Sequence, residues 1–236
     1  MRLFTLCSGL TLRTSYFVLC TLITAFTAHC GGWSYGFDAG VGLQAPVGGA
    51  ADLIKTTVNF GAGIEGGYDG LRLKVGFTYG QPTIRIDNPF GIFDENGRDL
   101  QLNKSRNLSN FAVSLMAGYR IKASDRVVVT PLAGAYYSRL SWTVNDIEWS
   151  KNEAGRDVFA VINATDVALG SWSWRAQADI DIKLHGQFVD KTRYTSSLRI
   201  SPWVAGLRFH GGLPQAYRGT CLGLTVAYAG LFTTLR

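Results

Sequence analysis

Apolar or aromatic side chains recur at every second position of this chain, in eight separate segments. In residues 109–122, the odd-numbered positions from Phe111 to Ile121 are all of this kind, whereas the even-numbered positions are mostly small or charged. Successive side chains of a β-strand point to opposite faces, so this period predicts strands with one apolar face. The predicted strands are residues 33–43, 55–68, 71–86, 109–122, 127–145, 167–184, 192–209 and 220–235.

The connections between these strands alternate between long and short. They are residues 44–54, 69–70, 87–108, 123–126, 146–166, 185–191 and 210–219. Barrels of the outer membrane have short periplasmic turns and longer external loops. The chain is therefore predicted to be all-β, an eight-stranded antiparallel up-and-down transmembrane β-barrel over residues 33–236. Both termini would then be periplasmic, and the long loops would be extracellular.

The apolar face is predicted to meet lipid. A soluble ligand-binding barrel would turn that face inward, but the interior of eight strands is only just wide enough for side chains to fill it. The many large residues of this face do not fit there, whereas the opposite face is rich in glycine, of which the chain has 28. Charged residues make up 17% of the chain, below the roughly 25% of soluble domains, which agrees with a lipid-facing exterior.

The aromatic residues assigned to the apolar face form two groups, one towards each end of the strands. The group near the short turns is Trp33, Tyr35, Tyr68, Tyr119 and Tyr194. The group near the long loops is Tyr79, Tyr136, Trp142, Trp172 and Trp174. Aromatic girdles of this kind mark the two interfaces of a bilayer. The pattern predicts a protein of the bacterial outer membrane, with membrane lipid as its first partner.

Residues 1–32 are predicted to be a signal peptide. Arg2 and Arg13 give it a positive start, and residues 16–26 form an apolar core that is too short to cross a bilayer as a helix. Ala28-His29-Cys30 supplies a small-residue cleavage site. Lipidation of Cys20 or Cys30 is the alternative, although neither cysteine follows a small residue.

The inward face carries charges of both signs. The residues predicted to form a charge plug in the lumen are Asp38, Glu65, Arg72, Lys74, Arg120, Arg175, Asp179, Asp181 and Arg199, and Arg139 is assigned to the same face. An isolated buried charge costs several kcal/mol, so these side chains are expected to pair and to close the barrel. A polar gate or a proton-linked path is the functional alternative.

The lumen is predicted to become apolar towards the long loops. Trp203, Leu207 and Phe209 follow the charged inward positions of the seventh strand, and Leu169 is inward in the sixth. An apolar cup above a charged plug would suit a small hydrophobic ligand, so these four residues are the candidate ligand-binding site. The alternative is that Pro202 marks a bulge that turns Trp203 outward.

Two further features leave alternatives open. Pro82 and Pro131 interrupt predicted strands, and a broken ladder at either would open a lateral exit or merely shape the barrel. The predicted loop 146–166 contains an apolar patch at residues 157–162, which would extend a hairpin above the membrane or cap the barrel mouth.

Catalysis is not expected. The histidines beyond the predicted signal peptide are His185 and His210, and neither accompanies a nucleophile motif or a metal-ligand spacing. We therefore expect no enzymatic activity, no cofactor and no metal site. The net charge of +6 comes without a Lys/Arg run, so no nucleic-acid partner is expected.

Strand number, alternation, aromatic girdles and loop pattern together resemble the eight-stranded outer-membrane barrels of the OmpW, OmpX and OmpA type. The OmpW resemblance implies a narrow channel for passive uptake or efflux of small hydrophobic molecules, with a lateral opening. The OmpX resemblance implies a surface adhesin that meets a host surface protein through protruding strands and long loops. Membership of this group also implies the barrel-assembly machinery as a partner. No motif is sharp enough to transfer binding residues from these families.

Overall fold

The structure of the protein, a computed structural model, describes residues 32–52, 54–83, 109–155, 157–189, 191–209 and 217–234. The side chains of residues 142–150, 157–167, 209 and 217 are outside the description. The predicted signal peptide also lies outside it, except for Gly32.

Eight antiparallel strands make up the described part of the chain. They are β1 Trp33–Gly48, β2 Thr57–Tyr68, β3 Leu71–Gly80, β4 Ser109–Tyr119, β5 Val127–Lys151, β6 Asp157–Val189, β7 Thr192–Phe209 and β8 Tyr217–Thr234. A two-residue segment, Ile121–Lys122, continues β4 after a break at Arg120, and a 3-10 turn, Gly49–Asp52, follows β1.

The strands close into a barrel. Each pairs with its neighbours in the chain, and β1 pairs with β8 from Ser34–Thr233 to Gly48–Gly219. The predicted fold class, an all-β eight-stranded antiparallel up-and-down transmembrane barrel, is confirmed. In the described ranges no helix is long and apolar enough to span a membrane.

Two predicted loops are largely strand. β5 and β6 remain paired to Lys151 and Asp157, with a register shift between Asp146 and Ile147, so the predicted loop 146–166 is a hairpin and not a cap. β6 also continues to Val189, past the predicted end at residue 184, with a second shift between Lys183 and His185. Both boundaries were wrong because pairing with a neighbour extends a strand beyond the residues that show apolar alternation.

The apolar face points outward around most of the barrel. Large exposed side chains on this exterior include Trp33, Phe60, Ile64, Leu73, Trp172 and Trp174. Small residues take the interior: a Cβ added at Gly40 would run into the backbone of β8 at Val226 and Ala227. An exterior of this kind fits lipid and contradicts the soluble alternative, whose apolar face would be buried.

The register of β5 differs from the prediction. Tyr136 was assigned to the outer girdle, but it is only 2% exposed and lies inward, together with Leu132 and Leu140, whereas Arg139 is exposed. Tyr136 pairs with Ser114 of β4, whose side chain is also inward. Because β5 is apolar at both odd and even positions, its own alternation cannot choose a face. The strand partners decide it.

Candidate functional site

A charge plug lies in the middle of the lumen, with Arg199 of β7 at its centre. The Arg199 guanidinium donates to three carboxylates from three strands: Nη1 to Asp38 at 2.7 Å, Nη2 to Glu65 at 2.9 Å, and Nε to Asp181 at 2.7 Å. All four side chains are buried or nearly so. Arg199 thereby joins β1, β2 and β6 to β7 across the lumen.

Lys74 of β3 is the second cation of the plug. Its Nζ lies 2.7 Å from Asp38 and 2.8 Å from Asp179, which is 0% exposed. Asp179 also accepts hydrogen bonds from Ser201 and Gln177. Removing one partner from a buried network of this kind leaves the other charges buried without a counter-ion, which lowers the stability of the fold. The plug therefore ties five strands, β1, β2, β3, β6 and β7, together across the lumen, and it stabilises the barrel only while it is complete.

Three residues predicted for the plug are not part of its ion-pair network. Within the described ranges, Arg72, Arg120 and Arg175 have no carboxylate at ion-pair distance. Arg175 lies against the rings of Trp203 and Tyr136, with its guanidinium carbon 4.3 Å and 5.8 Å from their centroids. Arg175 also donates to Gln177, which donates to Asp179 of the plug. The expected ion pairs are missing for these three arginines because alternation gives the face of a side chain but not its height along the barrel.

An apolar layer covers the plug on the long-loop side. Three of the four candidate ligand-binding residues lie in it, namely Leu169 at 5%, Trp203 at 5% and Leu207 at 3% exposed. Tyr136 and Leu140 complete it, and sequence analysis missed both through the face error in β5. The side chain of Phe209, the fourth candidate, lies outside the description.

Pro202 does not turn the strand. β6 and β7 keep one register on both sides of it, from Gln177–Trp203 to Ile180–Ile200. Proline only removes a ladder hydrogen bond here. Trp203 consequently shares the inward face of Arg199, and the alternative of a bulge that turns Trp203 outward is wrong.

The ladder between β6 and β7 stops at the level of the apolar layer. Its pairing begins at Arg175 and Ala205. Above that level, the described residues of each strand pair only with the other neighbour, β5 or β8. A cavity of about 500 Å³ lies at this gap and is lined by Trp172, Trp174, Gly206, Leu207, Arg208 and Arg218, among others. Pro131, by contrast, leaves its ladder intact at Ala178.

Leu207 connects this gap to the lumen. Its buried side chain belongs to the apolar layer, and Leu207 is also among the residues that line the cavity. On the outer side, Trp172 and Trp174 are exposed and line the same cavity. The gap therefore opens at the upper aromatic girdle, where the bilayer changes from headgroups to hydrocarbon.

The remaining girdle residues differ in exposure. Trp33, Tyr35, Tyr68, Tyr79, Trp172 and Trp174 are exposed on the exterior. Tyr194 donates or accepts a hydrogen bond with the hydroxyl of Tyr228 at 2.8 Å, and Tyr119 lies against Gly70. The side chain of Trp142 lies outside the description.

No family model and no curated protein matches the sequence. Several solved structures resemble the fold. Neisserial surface protein A is 13% identical over 86% of this chain and 97% of its own, with a TM-score of 0.39. OprG from Pseudomonas aeruginosa is 7% identical over 87% of this chain and 97% of its own, with a TM-score of 0.43. The outer membrane protein AlkL is 12% identical over 87% of this chain and 91% of its own, with a TM-score of 0.35.

At these identities and TM-scores the likeness is one of fold, and no role follows from it. The geometry of the chain itself identifies its architecture: eight strands close on themselves, the apolar face is outside, and ion-paired charges fill the middle of the lumen. The protein is an eight-stranded β-barrel of the outer-membrane type.

Proposed function

We propose that the protein is a narrow channel that passes small hydrophobic molecules between the long-loop end of the lumen and the membrane. The observation that carries this proposal is the break in the β6–β7 ladder beside the apolar layer. A solute would enter from the extracellular side, contact Leu169, Trp203 and Leu207, and leave sideways past Trp172. No catalytic step is involved.

The charge plug supports a lateral route over an axial one. A hydrophobic molecule that moved along the axis would have to displace Arg199 and Lys74 from their carboxylates, at a cost of several kcal/mol. The lateral route crosses apolar side chains and a gap in which backbone hydrogen bonds are already missing. Its barrier is therefore lower.

A reversible disulfide across the gap tests the route. A Cβ at Gly206 would contact Ser173 Oγ, so Ser173→Cys with Gly206→Cys places the two cysteine side chains next to each other across the gap. In cells that produce this variant in a Cys221→Ala background, we expect oxidation to reduce uptake of the hydrophobic probe N-phenylnaphthylamine by about tenfold, or roughly 1.4 kcal/mol. Dithiothreitol should restore uptake.

The matched control is Ala39→Cys with Ala62→Cys in the same background. These residues face each other in the intact β1–β2 ladder and are exposed on the exterior. This staple should leave uptake unchanged in both redox states. Equal uptake by the oxidised and reduced forms of the gap variant would rule out a lateral path between β6 and β7.

A second function, surface adhesion, is favoured by the length of the β5–β6 hairpin. β5 has 25 residues and β6 has 33, whereas about 9–11 residues cross a bilayer. The paired backbone therefore projects far beyond the membrane and offers exposed edges to a partner strand. A host surface protein is the partner that this hairpin would meet.

Shortening the hairpin separates the two functions. Asn145 and Ala164 are paired, so residues 146–163 can be replaced by Asn-Gly, a two-residue hairpin turn. If the protein is only a channel, we expect the shortened barrel to fold and to keep its probe uptake. Loss of bacterial adherence to host cells with unchanged uptake would instead assign the hairpin an adhesive function.

A further inference from the structure

A third region of the lumen, at the short-turn end, is a basic vestibule. We use this name for the cavity of about 630 Å³ beneath the plug, whose lining includes seven cationic and three acidic side chains. Its volume is in the range of small-molecule sites. It opens at the opposite end from the apolar layer, so the proposed hydrophobic path does not use it.

Two arginines of the vestibule have unused donors. Arg72 is 5% exposed, and the hydrogen bond that it makes is to the backbone carbonyl of Leu71 at 3.1 Å. Arg193 stacks on Phe188, and its buried Nε has no acceptor. Neither has a carboxylate at ion-pair distance among the described residues. A buried guanidinium such as that of Arg72, and a buried donor atom such as Arg193 Nε, normally have acceptors, so acceptors are missing here.

The charge plug does not use up these cations. Its four carboxylates exceed its two cations by two, and Arg72 and Arg120, which lie next to it, offset that excess. Arg126, Lys183 and Arg193 remain at the mouth. Of the vestibule carboxylates, Asp181 pairs with Arg199 and Asp125 with Lys122. Among the described residues of the mouth, Asp69 alone opposes the three cations, and this excess of positive charge favours a dianion.

Backbone irregularities bring these cations together from separate elements. Lys183 is the last inward residue of β6 before its register shift, and Arg120 occupies the break after β4, where its backbone N–H donates to Gly70 at 2.8 Å. Arg193 comes from the start of β7, and Arg126 from the turn before β5. A single bound group would therefore receive donors from several sides.

We propose that the basic vestibule binds a phosphate-bearing anion with at least two negative charges. A tetrahedral phosphate offers acceptor oxygens in several directions, which suits guanidinium groups that converge from different strands. A carboxylate is planar and is satisfied by one bidentate arginine. The ligand is either a free phosphate compound or a phospholipid headgroup that enters from the adjacent leaflet.

Calorimetric titration with inorganic pyrophosphate tests the free-phosphate arm. We expect the refolded barrel in zwitterionic detergent to bind pyrophosphate with an affinity that falls as NaCl is raised. Arg120→Gln with Arg193→Gln should weaken binding at least about tenfold. Arg120→Lys with Arg193→Lys keeps both positive charges but removes the planar guanidinium donors, and it should give an intermediate affinity. Arg208→Gln, at the other end of the barrel, is the matched control.

Nanodiscs test the lipid arm. Enrichment of cardiolipin, whose headgroup carries two phosphates, around the barrel in mixed cardiolipin–phosphatidylcholine discs, lost in the double glutamine variant, would support a headgroup ligand. Pyrophosphate binding without this enrichment would support a free ligand. The proposal is overturned if neither probe binds, or if Arg208→Gln weakens binding as much as the vestibule variant in samples shown to be folded by heat-modifiable gel migration.

Discussion

Replacing Arg199 with methionine is expected to lower the free energy of unfolding by about 3–5 kcal/mol. The guanidinium donates to Asp38, Glu65 and Asp181, and its loss leaves three nearly buried carboxylates with Lys74 as the remaining cation of the plug. Urea titration of the barrel in lipid, followed by tryptophan fluorescence, measures the loss.

Arg139→Met is the matched control, because alternation places both arginines inward whereas the structure exposes Arg139. An exposed substitution should change stability by at most about 0.5 kcal/mol. If Arg139→Met lowered the free energy of unfolding as much as Arg199→Met does, the assignment of Arg139 to the outer face of β5 would be wrong. If Arg199→Met cost under about 1 kcal/mol, the plug would not depend on its central arginine.

Alternation was sufficient for most of the fold. A side chain's face depends only on whether its position is odd or even, and that count continues through Pro202 because the β6–β7 register is the same on both sides. The inward positions of Leu169, Trp203 and Leu207 followed from it. β5 failed because Leu132 and Tyr136 alternate with Ala133 and Tyr137, and either face reads as apolar. Only the pairing of β5 with Ser114 of β4 and Arg175 of β6, whose side chains are inward, shows which face of β5 is inward.

The height of each inward side chain along the barrel could not be predicted from the sequence. Which inward residues share a height depends on the stagger between neighbouring strands, and a strand's own pattern does not contain it. Arg72 and Arg199 were therefore assigned together, although Arg199 pairs with the plug carboxylates and Arg72 has none at ion-pair distance among the described residues. The gap beside Gly206 and the shift at Lys183 depend on where pairing stops, which alternation does not predict either.

Trp203 provides the second large effect, through its contact with Gly223 of β8. A Cβ at Gly223 would overlap the indole ring, whose Nε1 donates to Thr225 Oγ1 at 3.3 Å. Gly223→Ala should therefore cost about 1–3 kcal/mol through overpacking. Gly61→Ala, at an inward position where the new Cβ meets only an ordinary 3.6 Å contact with the Phe77 carbonyl, should be close to neutral.

A double-mutant cycle separates this contact from a general intolerance of alanine. Trp203→Ala alone should cost about 3–5 kcal/mol, because it leaves a cavity between Arg175 and the apolar layer. In that background Gly223→Ala should cost less than about 0.5 kcal/mol, since the ring that it would strike is absent. Additive losses would mean that Gly223 is required by the backbone and not by Trp203. Coupled losses would show that the absence of a Cβ at Gly223 lets the indole lie across the lumen. There it covers the plug and forms the inner wall of the proposed hydrophobic path.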